Sequence, residues 1–240
     1  MPWRPGFPVS LLPLAALALA PAFSARTPAA APVPPKDAAL GVVYSVHPGR
    51  DAQVVFTSDA ALERIVGVSS RVVGYAVAPA DDRPSAQLLA GEFRLPSASL
   101  DTGLALRNGR LRSGRWLNAS DFPDIVFSLT RTRDVASLPT PANPVLPSGT
   151  TLYSATLVGD LTIRGVTRPL AVGARLTFLP GSPATRRKAP GDLLIIRAEF
   201  QVNLREFGLN DPAMSVGMVA ETVRVDLFLV LSTVAPDDGP

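Results

Sequence analysis

LYSATLVGDLTIRGVTRPLAVGARLTF (152–178) alternates apolar and polar side chains along nearly its whole length. Tyr153, Ala155, Leu157, Leu161 and Ile163 fall on one face, while Ser154, Thr156, Asp160 and Thr162 fall on the other. After Arg164-Gly165 the pattern resumes. Leu170, Val172, Ala174, Leu176 and Phe178 face one way; Thr167, Arg175 and Thr177 face the other. Successive side chains of a strand point to opposite faces, so a period of two predicts strands with one buried face. The Arg-Gly dipeptide between two such runs predicts a tight turn. The stretch therefore reads as a long antiparallel hairpin with one continuous apolar face.

The same period extends outward. Over 194–204, Ile196, Ala198, Phe200, Val202 and Leu204 alternate with Ile195, Arg197, Glu199, Gln201 and Asn203; over 223–231, Val225, Leu227, Leu229 and Leu231 alternate with Arg224, Asp226, Phe228 and Val230. Shorter strands are expected over 42–46, 53–57, 71–78, 87–95 and 125–132. Long strands with one apolar face suit a curved sheet that closes on itself, because closure removes exposed edges. The expected fold is all-β, an extended antiparallel β-barrel of about eight strands. Pro- and Gly-rich loops cover 138–149 and 180–192. From 102 to 117 the alternation stops. Leu104, Leu106 and Leu111 suit a short helical segment over one end, weakened by Gly103, Gly109 and Gly114. One domain is expected over 36–234, with a disordered tail over 235–240.

Hydrophobic residues make up 47% of the 240-residue chain, enough to bury a core. Lys and Arg number 23 against 20 Asp and Glu, but the arginines are scattered among strands, and no nucleic-acid groove is expected. There is no cysteine, which removes disulfides and thiolate chemistry, and His47 is the one histidine, so no multi-His metal site is expected. No cofactor is expected. MPWRPGFPVSLLPLAALALAPAFSA (1–25) resembles a secretory signal, with an early Arg, a short apolar run and small residues. Cleavage is expected after Ala22 or Ser24; the alternative is an uncleaved anchor. The division is then a signal peptide over 1–24, a Pro/Ala-rich linker over 25–35 and the barrel, in a periplasmic or secreted protein.

LDTG (100–103) suggests an aspartic protease, but that chemistry needs two carboxylates sharing a proton, and one such motif is present. The better reading is a turn in which Asp101 accepts backbone N–H groups and caps the helical turn that follows. RLRSGRWLNASDFPDIVF (110–127) is the densest polar stretch. Within it Trp116, Leu117 and Phe122 fit either a tunnel mouth or ordinary core. Arg107, Arg110 and Arg112 fit either a headgroup site or a solvated face paired with Asp121 or Asp124. Met214 suits a second lip. The inward faces supply candidate tunnel walls at Phe56, Leu157, Leu161, Leu170, Val172, Phe200, Val202, Val225 and Leu227. Leu104, Leu111, Trp116, Phe122 and Met214 are the candidate lid. No nucleophile–base pair is visible, which favours a container over a catalyst.

Three blocks in order, SLDTGLALRNGRLRSGRWLNASDFPDIVFSL (99–129), VGDLTIRGVTRPLAV (158–172) and AEFQVNLREFGLN (198–210), resemble the YceI-like family. The resemblance runs from about 43 to 233 and is most specific over GDLTIRGVTRP (159–169). It implies a lipocalin-like barrel and a periplasmic, polyisoprenoid-binding protein. The family often has His at the positions of Arg110 and Arg164, so no role of those histidines carries over. The implied function is extracytoplasmic binding, and sequestration or transport, of an amphiphile. Its polyisoprenoid, isoprenoid quinone or fatty-acid-like tail would lie inside the barrel. Two alternatives stand beside it: an enzyme or enzyme accessory acting on a lipid or quinone, and a filled structural barrel acting through its outer surface. Transient membrane contact and a homodimer stay open. N-terminal sequencing of exported protein should begin between residues 22 and 26; a mature protein that keeps Met1 to Leu19 in the cytoplasm would refute export.

Overall fold

The computed structural model describes Pro32 and residues 41–49, 51–80, 86–140 and 146–236. The signal-peptide reading, the rest of the linker, and 237–240 lie outside the described residues. Among the described residues ten strands follow one another: β1 (Gly41–Val46), β2 (Val54–Asp59), β3 (Arg64–Ser69), β4 (Val73–Pro79), β5 (Ala90–Pro96), β6 (Asp124–Leu138), β7 (Thr151–Ile163), β8 (Val166–Leu179), β9 (Leu193–Asn203) and β10 (Thr222–Ser232). Two short helices are α1 (Ala105–Arg112) and α2 (Pro212–Ser215).

All pairings between strands are antiparallel, in the order β1-β4-β5-β6-β7-β8-β9-β10, and β10 returns to β1 through Ser45–Ser232 and Val46–Leu231. This closes an eight-stranded barrel. β10 is shared along its length. Its first half, Arg224 to Leu227, pairs with β2, and its last two residues pair with β1. The β2–β3 hairpin therefore raises the wall at one end, above the ring that β1 and β4 close.

The β7–β8 hairpin is paired without interruption from Thr151–Phe178 to Ile163–Val166. Arg164 (φ 51°) and Gly165 (φ 74°) both sit in the left-handed region, the pattern of a two-residue type I′ turn. That turn's twist matches the strands it joins. Outward-facing Arg175, Arg197, Glu199 and Arg224 are exposed, and the Arg197 guanidinium lies 4.6 Å from the ring centre of outward-facing Phe228.

Two elements depart from expectation. β3 was not anticipated. Its inward Ile65, Gly67 and Ser69 are buried, but its outward Val66 and Val68 are apolar too, so no polar alternation marks it. β6 continues past 132 to Leu138. Register shifts after Leu129 and Arg133, with Asp134 at φ 54°, interrupt the period of two that sequence reading relies on.

The interior holds two packed clusters. At the closed end Tyr44 and Tyr153 stand edge-on to Phe178, with centroids 6.0 and 6.1 Å away, beside fully buried Leu176, Leu194 and Leu231. Burial, with Asp192 nearby, pushes the Tyr44 hydroxyl above its ordinary pKa. At the other end Leu100, Leu117, Phe207, Leu209 and Met214 form a cap over Leu161, Ile163, Val202 and Val223.

Phe122 lies against the hairpin tip. A Cβ on Gly165 would come within 2.5 Å of its Cε1. Gly165→Ala should therefore cost on the order of 2–3 kcal/mol in urea unfolding, from positive φ plus the clash. Adding Phe122→Leu should recover the steric part. An unchanged midpoint in the single variant would contradict this reading of the turn.

Candidate functional site

Between the two clusters lies a cavity of about 560 Å³, within the range of small-molecule sites. Toward the closed end its wall is Val54, Phe93, Leu157, Ile196 and Leu229, which belong to the first cluster. Nearer the cap it is Phe56, Leu161, Leu170, Phe200 and Val202. One glycine shapes the wall. The Phe56 ring lies across Gly67, where a Cβ would stand 2.2 Å from Cε1. A side chain there would drive the ring elsewhere.

Charged groups on the lining gather around α1 and the segments facing it: Glu63, Arg107, Arg110, Arg115 and Asp211, with Arg94 on β5. Arg107 pairs with Glu63, which ties α1 to the β2–β3 turn. Arg115 lies 3.7 Å from Asp211, and Arg94 donates to Glu92 at 2.6 Å. Arg110 lines the mouth with no carboxylate partner among the described residues, and it is exposed. A guanidinium in contact with water keeps its charge without a buried counter-ion, whereas one carried deeper would need a partner. The polar rim and apolar interior therefore follow from one rule.

Of the residues singled out as walls and lid, Phe56, Leu111, Trp116, Leu157, Leu161, Leu170, Val172, Phe200, Val202, Val225 and Leu227 lie on the cavity. Three lie elsewhere. Leu104 precedes α1 and is 54% exposed, because this helix buries none of its own residues. Phe122 packs on the β7–β8 turn from outside the lining. Met214 is buried in the cap, and exposed Met218 lines the cavity in its place. Among the arginines, Arg107 and Arg110 line the mouth, and Arg112 does not. The expected ion pairs with Asp121 or Asp124 are not the ones formed. Asp121 instead accepts from Asn118 Nδ2 at 2.9 Å, within the anticipated polar turn. Phe93, Ile125 and Phe127 complete the wall. They sit on strands that sequence reading placed but whose inward faces it did not assign.

Asp101 is a turn residue, as the motif's context suggested. Its Oδ1 accepts from Gly103 N at 2.8 Å and from Asn108 Nδ2 at 2.7 Å. It does not cap α1, whose N-cap is Leu104 with no side-chain bond. Its backbone pairs with Val68 on the outer edge of β3. Arg164, at the hairpin tip, donates to Gly114 O at 2.8 Å and Gly208 O at 3.4 Å, fastening two cap segments to the barrel. His47 stands apart, with Nε2 2.6 Å from Val234 O.

The site is thus an apolar chamber inside a closed antiparallel barrel, with charged side chains at its mouth. The YceI-like domain matches residues 44–231, and the chain belongs to that family. No curated protein matches it in sequence. In three dimensions it resembles a polyisoprenoid-binding domain from Saccharophagus degradans, implicated in plant cell wall breakdown. The two are 13% identical with a TM-score of 0.52, over 80% of this chain and 98% of that one. It also resembles Burkholderia cenocepacia BcnA, at 15% identity and a TM-score of 0.50, over 75% and 99% of the two chains. At such identities the likeness speaks for the fold.

The hydrogen bond from Asn108, then that from Gly103, with Arg112 assisting, hold the Asp101 carboxyl below its ordinary value of 3.8. Its contribution to stability is thus present above pH 3.8 and lost as pH falls through the lowered folded value. Carboxyl-carbon NMR should place the midpoint below 3.8, and Asn108→Ala should raise it. A midpoint at or above the ordinary value would remove Asp101 from this turn.

Proposed function

We propose that this chain binds an amphiphile outside the cytoplasm, holding a long apolar tail in the barrel and leaving the head at the arginine-lined mouth. The observation that carries the reading is the cavity itself, apolar through its depth and charged at its rim. Each buried CH₂ contributes about 0.8 kcal/mol without directional demands. An isoprenoid or acyl tail can therefore bind there with few polar contacts. Sequestration or transport follows from a site that holds its ligand by desolvation rather than by covalent chemistry. Family membership and the polyisoprenoid-binding relative support this ligand class. The secretory character of 1–25 supports export. A chamber of about 560 Å³ weighs against a filled barrel acting only through its outside. The mouth carboxylates Glu63 and Asp211 each face an arginine, an arrangement suited to holding the rim together rather than to proton transfer.

Trp116 presents a large apolar surface to the chamber; Arg110 offers a water-exposed charge, worth about 0–1 kcal/mol. Trp116→Ala should lower retention of a long-chain ligand by at least about tenfold, and Arg110→Ala by less than about fivefold. Native mass spectrometry of gently purified protein, followed by solvent extraction, measures the loaded fraction. If Arg110→Ala empties the protein while Trp116→Ala leaves it loaded, the polar group is the anchor and the tail-driven reading fails.

A further inference from the structure

Among the described residues, most of the large apolar side chains left in water gather at one end of the barrel. Leu62 (75% exposed), Leu104, Leu106 (73%), Val216 and Met218 ring the mouth. Val66 and Val68 extend the patch along the outer face of β3. Local bonds bring these segments together. Leu62 N donates to Gly217 O at 2.9 Å, Arg107 reaches Glu63, and Val68 pairs with Asp101 just before Leu104. An exposed apolar cluster rimmed by polar groups marks an interaction surface.

Charge narrows the occupant. From Leu104 to Asn118 the chain carries Arg107, Arg110, Arg112 and Arg115 and no acidic residue; Arg107 and Arg115 face Glu63 and Asp211, while Arg110 and Arg112, both exposed, form no ion pair among the described residues. Apolar side chains beside exposed arginines complement the boundary between anionic headgroups and acyl chains. The flank over β8 to β10 carries exposed Arg175, Arg197, Glu199 and Arg224 but none of the exposed large apolar side chains. The contact is therefore end-on. No helix among the described residues is long and apolar enough to cross a membrane.

We infer that the mouth end docks on an anionic lipid bilayer, with Leu62, Leu104 and Leu106 dipping into the headgroup layer beside the α1 arginines. The inference rests on the container reading, because docking at the mouth matters when the cavity exchanges its content there. A tail then passes between bilayer and chamber without crossing water, avoiding the cost of exposing each CH₂.

The chain has no cysteine, so a single one reports its own position. An environment-sensitive fluorophore on Leu106→Cys should brighten and shift blue when phosphatidylcholine vesicles containing phosphatidylglycerol are added to the full chain. The same probe on Leu89→Cys should stay silent, because Leu89 is exposed beside β4, away from the mouth. Vesicles of phosphatidylcholine alone should require several-fold more lipid. Arg112→Glu should raise the lipid needed for half the signal on the order of tenfold, at about 1 kcal/mol per surface charge. A silent Leu106 probe overturns docking, as does an equal response at both positions. A probe that answers to a protein partner but not to vesicles overturns it as well. Solvent extraction of the same samples separates the two readings. A responding probe on protein that carries and takes up no lipid supports docking and defeats the container. A silent probe on lipid-loaded protein does the reverse.

Discussion

Closure of the sheet through β10 and β1 fixes everything inside it. The join rests on a short register, Ser45–Ser232 and Val46–Leu231, yet it converts a row of strands into a tube with a set circumference. Side-chain volume must then fill, or fail to fill, the bore. Near the join it fills. Tyr44, Tyr153 and Phe178 stack edge to face, and the leucines beside them lose all contact with water. Toward the other end the wall rises on β2 and β3, and the inward side chains no longer meet. The chamber is what remains. Its apolar lining is a consequence of alternation, since the apolar face of each strand points into the bore.

The cap solves a second problem. An open tube end would expose both apolar wall and unpaired backbone. The chain covers it with two short elements fastened by polar bonds that cost little to make at a surface. Arg164 ties the hairpin tip to Gly114 and Gly208, Arg107 ties α1 to Glu63, and the Asp101–Asn108 turn sets where α1 starts. α1 has no fully buried residue, and half-buried Leu111 packs it against the cap beside these bonds. Elements with few buried contacts open at low free energy, which suits a lid. The same thin attachment leaves leucines and arginines facing outward at the mouth.

Much of the barrel was legible because β7 to β10 keep one continuous apolar face, opposite a face that is mostly polar apart from residues such as Ile195, Phe228 and Val230, and their limits fall within about a residue of those read from alternation. Legibility ended where the period broke. The bulges of β6 shift the register twice, and β3 presents valines to solvent, so neither length nor strand could be read there. Most wall residues followed from face assignment. The rim did not. Arg107 finds Glu63 forty-four residues earlier, and Arg115 finds Asp211 nearly a hundred residues later, whereas sequence proximity pointed to Asp121 and Asp124. Long-range ion pairs depend on which loops closure brings together. Met214 sits on α2 and is buried in the cap, whereas Met218, past the end of that helix, is exposed and lines the cavity.

On the proposed function, desolvation of a tail in a chamber of fixed depth supplies the binding energy. Isothermal titration of the purified, delipidated protein with a series of single-chain amphiphiles, alike in headgroup and differing by two carbons, tests it most directly. The claim predicts about 0.8 kcal/mol per added CH₂, near fourfold in Kd, with a negative heat-capacity change. The gain should continue until the chain meets the packed end at Tyr44 and Phe178, and then level off. Affinities that do not change with chain length while following the headgroup's charge would contradict it.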